Sequence, residues 1–290
     1  MSEARPSRAV FYTYNRNYEN LLIVSIESLI QHYESSEPLK IWVFNGDGFA
    51  TDVVNLIGEL PKRNGKPQIS CAFWSAPDWT NEISRNVSER FPAITLWRLG
   101  LPFTFRECDQ LLYLDVDTLI YADVNQLFDL VDPNVPLAAV PEIYHYMGTS
   151  WGQGVEADRS YVNSGVMVFN VQKYNEVWSL ADFLRKVNEN DFGRFPDQDL
   201  VNKQFLGQIQ LLPPEYNLQQ NNDFLTQDRE LPVTEADKAL FTNADKNVKI
   251  KHFLPLIKPS SLLTPVRDKY FRDWWQTARY AQSLFENDDV

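Results

Sequence analysis

The segment QLLYLDVDTLI, residues Gln110–Ile120, constrains the fold of this chain more than any other. Its first half is a nearly continuous apolar run, which is typical of a parallel strand covered on both faces. Asp115 and Asp117 follow this run and are separated only by Val116. In open α/β sheets, ligands bind outside the carboxyl ends of the strands. The segment therefore predicts a buried strand that runs directly into a ligand site.

Two carboxylates at the end of a buried strand indicate a divalent cation. Hard cations such as Mg²⁺ and Mn²⁺ take oxygen ligands and bridge readily to phosphate groups. Two solvated loop acids, or an acid that caps a helix, would produce the same pattern. The pair Asp115 and Asp117 leaves these interpretations open when it is considered alone.

The composition is that of a folded protein with an acidic surface. The chain has 290 residues, of which 44% are hydrophobic, enough for one large α/β domain or two small ones. Its formal net charge of −12 argues against binding to nucleic acid or to an anionic membrane. A substrate that carries phosphate is not excluded by this charge, because a bound metal ion reverses the local field.

The cysteines and the N-terminal segment indicate a reducing compartment. Cys71 and Cys108 form no motif, so we interpret them as ordinary buried thiols. The segment MSEARPSRAV lacks the apolar core of a signal peptide, and no run of about 18 apolar residues occurs. We therefore expect a cytoplasmic protein without a transmembrane segment.

Predicted strands and helices alternate in the first half, which is the βαβ rhythm of a parallel sheet. The predicted strands are Arg8–Tyr14, Leu39–Phe44, Gln68–Phe73 and Gln110–Ile120. The predicted helices are Tyr18–Tyr33, Thr51–Leu60 and Ala93–Phe105. No Gly-x-Gly-x-x-Gly follows the first strand, which disfavours a dinucleotide-binding fold and a P-loop.

The second half is less regular. Further strands are predicted at Leu137–Pro141, Tyr161–Val171 and Val248–Phe253, and further helices at Gln172–Asn190, Asp197–Phe205 and Pro265–Glu286. The last of these helices is amphipathic. Glu142–Ser160 is glycine-rich and aromatic, which predicts a long ordered loop, and Leu231–Lys246 is polar, which predicts a surface excursion.

Three later segments are polar where a core element would be apolar. In YVNSGVMVFN, Gly165 allows a ligand to approach the backbone closely, although a β-bulge explains it as well. In FPDQDLVN, Asp197 and Gln198 open a helix, where an acid is also a common cap. In KIKHFLPLIKPS, His252 precedes Lys258 by six residues, a pairing that suits a cation beside phosphate, although a lone histidine is more often structural.

Taken in order, these segments resemble glycosyltransferase family 8, a retaining family that includes glycogenin and bacterial lipopolysaccharide α-galactosyl- and α-glucosyltransferases. YLDVDTLI resembles its Asp-x-Asp block, YVNSGVMVFN its (Phe/Tyr)-x-Asn-(Ser/Ala)-Gly block and FPDQDLVN its Asp-Gln-Asp-x-x-Asn block. HFLPLIKP is similar to its His-x-x-Gly-x-x-Lys-Pro block, and ITLWRLGLP to the segment that carries an arginine before the Asp-x-Asp strand. The likeness runs from about Val10 to about Pro259.

The resemblance implies an α/β protein with the GT-A fold, in which a single Rossmann-like mixed sheet is flanked by helices. We expect residues 1–264 to form this domain and residues 265–290 to form a C-terminal amphipathic helical extension packed on it.

The resemblance also implies a metal-dependent, retaining transfer of a hexose from a UDP-sugar to a hydroxyl group, with an α linkage. Galactose or glucose is the expected sugar, Mn²⁺ the expected ion with Mg²⁺ as its alternative, and a saccharide, glycolipid or glycoprotein the expected acceptor. The implied metal ligands are Asp115, Asp117 and His252, and the implied catalytic residues are Gln198, Asp197 and Asn163. The implied donor- and nucleotide-binding residues are Thr13, Asn15, Asn17, Arg98, Val116 and Lys258.

The chain departs from the family pattern at three positions. Asn15 replaces an acid near the uracil and adds amide donors, whereas Pro255 replaces a glycine and removes a backbone N–H. Ser260 replaces a tryptophan that often follows Lys-Pro. The first two departures keep open a sugar-nucleotide-binding module with weak or no transferase activity. Nucleotidyl transfer is a third interpretation, disfavoured by the missing Gly-rich phosphate loop.

Two expectations concern how the reaction proceeds. Gln198 carries an amide, which is a poor nucleophile, so we expect front-face attack rather than a covalent intermediate. The aromatic loop Glu142–Ser160, with Tyr144, His145, Tyr146 and Trp151, is placed to cover the donor and present the acceptor. A packed aromatic loop is the alternative interpretation.

Overall fold

The computed structural model describes residues 8–83, 92–150, 153–154, 158–189, 194–221, 234–254, 258–261 and 268–286. In these residues the strands are β1 (Arg8–Thr13), β2 (Leu39–Asn45), β3 (Ile69–Ser75), β4 (Gln110–Leu114), β5 (Thr118–Ile120), β6 (Leu137–Pro141), β7 (Thr149–Ser150), β8 (Gln153–Gly154), β9 (Val162–Asn170), β10 (Ile209–Leu211) and β11 (Ile250–His252). The α-helices are α1 (Glu19–His32), α2 (Thr51–Arg63), α3 (Ile94–Gly100), α4 (Asn125–Asp129), α5 (Ile143–Tyr146), α6 (Val171–Val177), α7 (Leu180–Asn188), α8 (Pro196–Gln204), α9 (Glu235–Lys246) and α10 (Lys269–Ser283).

The main sheet of the described residues is mixed, as predicted. Its seven strands lie in the order β10–β6–β9–β4–β1–β2–β3. Strands β1 to β4 are parallel to their neighbours in this group, whereas β9 runs antiparallel to both β4 and β6. The reversal of β9 brings its first residues to the edge of the sheet where β1 and β4 end.

Both faces of the sheet are covered by helices. In β1, Val10 and Tyr12 belong to the core that includes α1 and α2, whereas Ala9 and Phe11 belong to the core that includes α3, α7 and α8. Successive side chains of a strand point to opposite faces, so a strand covered on both sides is apolar at every position. This explains the nearly continuous apolar runs in the sequence.

The predicted strand Gln110–Ile120 is divided into two strands. Strand β4 ends at Leu114, and β5 leaves the main sheet to pair antiparallel with β11 in a small two-stranded sheet. The chain turns between them, where the Thr118 hydroxyl donates to the Asp115 carbonyl at 2.8 Å. The acidic pair therefore lies in a turn between two sheets.

Three other predicted elements differ from the structure. The predicted helix Gln172–Asn190 is interrupted, because Ser179 caps a new helix by accepting from the Asp182 backbone N–H at 3.1 Å. The predicted surface excursion Leu231–Lys246 contains α9, which begins with a capping box at Thr234. The predicted loop Glu142–Ser160 contains α5, β7 and β8 in its described part.

Helix α10 lies within the predicted C-terminal helix and packs on the rest of the chain. Its residues Tyr270 and Trp274 share an apolar cluster with Leu21 and Val24 of α1. The proposed boundary between residues 264 and 265 falls outside the described residues, so the division into two units stays a prediction. Among the described residues, no helix combines the length and apolar character needed to cross a bilayer.

Candidate active site

A cleft of about 450 Å³ opens at the carboxyl edge of β1 and β4. Thr13 ends β1, Asp115 follows β4, Asn163 lies near the start of β9, and Gln198 lies in the first turn of α8. The cleft brings together residues that are far apart in the sequence. The predicted site residues that line it are Thr13, Asn15, Arg98, Asp115, Val116, Asp117, Asn163, Asp197, Gln198, His252 and Lys258.

Asp115, Asp117 and His252 form a cluster whose donor atoms suit a divalent cation. His252 Nε2 lies 3.6 Å from Asp115 Oδ2 and 3.3 Å from Asp117 Oδ1, and all three ligand atoms lie within 4.8 Å of one another. Neighbouring ligands of an octahedral ion with bonds of about 2.1 Å lie about 3 Å apart. Two carboxylates and one imidazole at this spacing therefore form a donor set that suits a divalent cation.

Gly165 is required for the cluster to close. A β-carbon at this position would lie 2.3 Å from His252 Cε1 and 2.7 Å from Asp115 Oδ2. Its carbonyl also accepts from the Asp115 backbone N–H at 2.8 Å, which fixes the start of the acidic turn. The glycine of the YVNSGVMVFN segment therefore serves close approach within the site, and β9 runs through it without interruption.

Lys258 forms an ion pair with Asp117 and donates to the Phe253 carbonyl at 2.6 Å. Burial alone would raise the pKa of Asp117, but the Lys258 ammonium and His252 outweigh burial and lower this pKa. The side chain of Asp117 is therefore a carboxylate, which is the form that binds a cation.

Arg98 connects the cluster of Asp115, Asp117 and His252 with Asp197, one of the predicted catalytic residues. Its Nη1 atom lies 3.0 Å from Asp115 Oδ1 and 3.1 Å from Asp197 Oδ2. Burial alone would lower the pKa of Arg98, but the charge of Asp115 and the neighbouring Tyr113 and Asp197 raise it. A buried guanidinium that pairs with both acids holds them at one side of the cleft.

Gln198 is held by two hydrogen bonds to its carbonyl oxygen. Oε1 accepts from Asn163 Nδ2 at 3.0 Å and from the Ser164 backbone N–H at 3.3 Å. Next to it, the Ser164 hydroxyl donates to Asp197 Oδ2 at 2.7 Å. The side chains of Asp197 and Gln198 do not cap α8. The helix begins at Pro196, so both residues already lie inside it.

Of the predicted nucleotide-binding residues near the end of β1, only some reach the cleft. Thr13 and Asn15 line the cleft, and Asn15 Oδ1 accepts from the Asn17 backbone N–H at 3.2 Å. This contact caps the short turn Arg16–Tyr18, which leaves Asn17 exposed and outside the described lining of the cleft. Tyr18 lines the cleft instead. The departure at Pro255 lies outside the described residues.

The predicted aromatic loop contributes one side of the cleft. Glu142 and Tyr144 line it, together with Phe195 from the segment before α8. By contrast, Tyr146 packs against Phe241 at a centroid distance of 5.4 Å. His145 stacks on Tyr161 at 4.0 Å. The loop therefore combines cleft-lining and packed aromatic residues, and Trp151 lies outside the described residues.

Tyr113 and Asn217 support the site through hydrogen bonds and were not predicted. Tyr113 donates to Asp115 Oδ1 at 2.6 Å, and its ring lies 4.5 Å below the Arg98 guanidinium. Asn217 Oδ1 lies 3.0 Å from His252 Nδ1. Tyr113 is part of an apolar strand and looks like an ordinary core residue. Asn217 belongs to the segment PEYN, which has no pattern that would have identified it.

A larger groove, of about 1290 Å³, lies at the opposite edge of the sheet. Its charged side chains include Arg8, which pairs with Asp129 at 2.6 Å, and Lys173, which pairs with Glu176 at 2.8 Å. These charges satisfy each other, whereas the carboxylates of the cleft converge on one point. The smaller cleft is therefore the candidate active site.

Comparison with known families gives one model that covers most of the chain. The model described as "Glycosyl transferase family 8" matches residues 9–259. This range contains all the predicted site residues, from Thr13 to Lys258.

Two curated bacterial proteins are among the relatives in sequence. General stress protein A of Bacillus subtilis is 25% identical over 263 residues, which cover 88% of each chain. A lipopolysaccharide 1,2-glucosyltransferase of Escherichia coli is 28% identical over 218 residues, which cover 72% of this chain and 61% of that enzyme. The chain thus spans most of the first relative but less than two thirds of the second.

Solved structures of glycosyltransferases share the fold. The apo structure of the bifunctional enzyme WbbM matches with a TM-score of 0.76 at 23% identity, covering 99% of this chain and 52% of that one. The galactosyltransferase LgtC, solved in complex with donor and acceptor sugar analogues, matches with a TM-score of 0.68 at 20% identity, covering 95% and 96%. The predicted GT-A fold is confirmed.

Proposed function

The chain belongs to glycosyl transferase family 8, and from this premise we propose that it transfers a hexose from a UDP-sugar to an acceptor hydroxyl with retention of the α configuration. Glucose or galactose is the proposed sugar. The observation that carries the proposal is the convergence of Asp115, Asp117 and His252 beside Lys258 in one cleft. Such a cluster suits a cation that holds a diphosphate.

The cluster would hold Mn²⁺, with Mg²⁺ as the alternative, and the bound ion would supply Lewis-acid stabilisation of the departing diphosphate. Lys258 adds a positive charge at the same place, since its ammonium already lies beside Asp117. Charge that develops on the leaving group is best stabilised by groups that are fixed in advance. The hydrogen bond from Lys258 to the Phe253 carbonyl provides such fixation.

The donor sugar would lie against Asp197 and Gln198, on the side of the cleft where Arg98 anchors the acid. In the proposed reaction the anomeric carbon–oxygen bond to phosphate breaks, and a bond to the acceptor oxygen forms on the same face of the ring. The proton of the acceptor hydroxyl passes to the departing phosphate. The UDP-sugar and acceptor thus become UDP and an α-glycoside.

Gln198 supports front-face attack. Its carbonyl oxygen already accepts two hydrogen bonds, from Asn163 and from the backbone of Ser164, and the residue is 7% exposed. An amide oxygen held in this way is a weak nucleophile. We therefore assign Gln198 to positioning of the donor sugar and Asp197 to binding of its hydroxyl groups.

The acceptor is proposed to be a saccharide, a glycolipid or a glycoprotein that enters past Glu142, Tyr144 and Phe195. These residues give the cleft one acid and two aromatic surfaces. Pockets for small polar ligands combine apolar walls with a few polar groups in this way.

The test is an assay of nucleotide release with a panel of UDP- and GDP-sugars in the presence of Mn²⁺. Slow hydrolysis of one UDP-hexose, dependent on the metal, is the expected result without an acceptor. NMR of a glycosylated product should then give the coupling constant of an α linkage. A β linkage, or release from GDP-sugars alone, would contradict the proposal.

A further inference from the structure

We propose that Asn217 is a positioning residue that fixes the tautomer of His252 and so presents His252 Nε2 as a lone pair to the cation. The inference rests on the proposed function, because it concerns the metal site named there. Asn217 is 1% exposed and lies on the side of the imidazole opposite the carboxylates. The sequence analysis did not identify it.

The direction of the hydrogen bond between Asn217 and His252 can be derived from two backbone N–H groups, which can act only as donors. The Gly165 N–H donates to Asn163 Oδ1 at 2.9 Å, and the Ser164 N–H donates to Gln198 Oε1 at 3.3 Å. These two bonds show which side-chain atom of Asn163 and which of Gln198 is the oxygen. The bond from Asn163 Nδ2 to Gln198 Oε1 at 3.0 Å agrees with both assignments.

The same reasoning extends to the histidine. Asn163 Oδ1 also faces Asn217 at 2.9 Å, so the Asn217 atom there must be the donor Nδ2. Asn217 Oδ1 therefore points to His252 Nδ1, 3.0 Å away, and an amide oxygen can only accept. Consequently Nδ1 carries a hydrogen, and Nε2, which faces Asp115 and Asp117, is the nitrogen that the neutral ring presents to a cation.

The backbone around Asn217 holds this arrangement in register with β11. The Leu218 N–H donates to the Ile250 carbonyl at 2.8 Å, and the His252 N–H donates to the Leu218 carbonyl at 3.1 Å. Asn217 and His252 are thus carried by two segments that are bonded to each other. A second amide, Gln219, lies two residues away but bonds to the backbone of Ile143 and Pro141 instead.

The first experiment measures the tautomer directly. The chain has three histidines, so ¹⁵N-edited NMR of the imidazoles is simple to assign by comparison with His252→Gln. Before Mn²⁺ is added, and with the ring neutral, His252 is expected to carry its hydrogen on Nδ1. A spectrum with the hydrogen on Nε2 would overturn the inference, and this result requires no Asn217 variant to fold.

The second experiment measures the affinity for Mn²⁺ by electron paramagnetic resonance in the presence of UDP. Loss of an outer hydrogen bond to a ligating histidine typically lowers metal affinity about 10- to 100-fold. Asn217→Ala is expected to show this loss, whereas Asn217→Asp keeps an acceptor for Nδ1 and should retain most of the affinity. Gln219→Ala is the matched control, because it removes a buried amide outside this network and should bind Mn²⁺ like the unaltered chain.

The outcomes separate this inference from the proposed function. If the unaltered chain does not bind Mn²⁺ with UDP, the proposed metal site fails and the role of Asn217 fails with it. If the unaltered chain binds Mn²⁺ and Asn217→Ala binds it equally, only the role of Asn217 is overturned. Equal losses in Asn217→Ala and Gln219→Ala would mark the effect as general destabilisation and would also overturn the role.

Discussion

At the scale of single residues, the site depends as much on the lack of a side chain at Gly165 as on its charged residues. Asp115 and His252 approach each other over Gly165, and their atoms occupy the space that a β-carbon would need. Tightly packed sites of this kind tolerate no added methyl group without a shift of backbone or side chains. Not every glycine is constrained in this way: a β-carbon at Gly58 or Gly207 would meet no atom within 4 Å, whereas one at Gly100 would lie 2.3 Å from the Trp79 ring.

Gly165→Ala is therefore expected to abolish Mn²⁺-dependent stabilisation by UDP and to lower the free energy of unfolding by about 1–3 kcal/mol. Gly58→Ala is the control: Gly58 lies inside α2, and no atom would lie within 4 Å of its β-carbon. That change should raise stability by about 0.5–1 kcal/mol. Thermal melts with and without UDP and Mn²⁺ measure both, and an undiminished UDP effect in Gly165→Ala would contradict the site.

Gln198→Ala is expected to lower kcat about 100-fold and leave the affinity for UDP nearly unchanged, because the proposed function places Gln198 against the sugar and away from the nucleotide. Gln204→Ala, at the other end of α8, is the control and should change neither kcat nor the affinity for UDP. Gln198→Glu should not trap a hexose on the protein, which intact-protein mass spectrometry would detect. A hexose adduct in that variant would favour a covalent intermediate over front-face attack.

The sequence predicted the three residues that converge in the candidate metal cluster but not the residues that support them. Asp115, Asp117 and His252 are chemically distinctive and lie in ordered blocks, so their types and order sufficed. Asn217 becomes meaningful only because Leu218 pairs with Lys251, a contact between segments far apart in the sequence. Such a contact leaves no periodic pattern, and therefore no local signal was available.

At the scale of elements, the extent of strands and helices was harder to predict than their existence. Leu119 and Ile120 are as buried as Leu114, so hydrophobicity gave no sign that the chain changes sheets after Leu114. In contrast, the break before α7 has a local signal, because Ser179 and Asp182 have the spacing of an N-cap and its partner. This break therefore had a local determinant, although the prediction of one helix Gln172–Asn190 missed it.

The contact between α1 and α2 contains a buried acid whose titration is measurable. Glu27 of α1 is buried and accepts from Gln31 Nε2 at 2.9 Å and from Asn64 Nδ2, after α2, at 3.0 Å. Burial raises the pKa of Glu27 above its ordinary value of 4.5, although both hydrogen bonds oppose this rise. The folded state therefore holds the proton to higher pH than the unfolded state.

As a result, Glu27 should favour folding most at a pH below 4.5 and lose this contribution as the pH rises through the folded-state pKa. In Glu27→Gln the side chain at position 27 cannot titrate. The free energy of unfolding of this variant should therefore not show the decline with rising pH that Glu27 causes. Urea denaturation of both proteins at several pH values gives the difference. If the difference in the free energy of unfolding between the two proteins stays constant with pH, burial does not raise the pKa of Glu27.

At the scale of the whole molecule, the C-terminal helix is predicted to be part of the fold and not an appendage. Tyr270 and Trp274 are buried, and Tyr121 donates to Asp273 at 2.8 Å. A chain that ends at residue 264 would expose the matching apolar surface of α1. We expect this truncated chain to lose cooperative unfolding or to aggregate, as circular dichroism and size-exclusion chromatography would report.

Two point variants test the same prediction without truncation. Trp274→Ala should lower the free energy of unfolding by about 3–5 kcal/mol, because Trp274 is only 3% exposed. Tyr280→Ala, on the same helix but 44% exposed, should change stability by less than about 0.5 kcal/mol. Equal costs at the two positions would argue against docking of the helix through its Trp274 face.

The position of the acidic turn between two sheets has a consequence for local unfolding. Asp115 is bonded to β9 of the main sheet, whereas the Asp117 carbonyl and His252 are bonded into the small sheet of β5 and β11. A ligand that contacts all three side chains therefore bridges the main sheet and the small sheet. Because ligands suppress every opening that breaks their contacts, amide hydrogen exchange in β11 would slow when the site fills. A ligand in the site would thus also hold β11, a three-residue strand, against local unfolding.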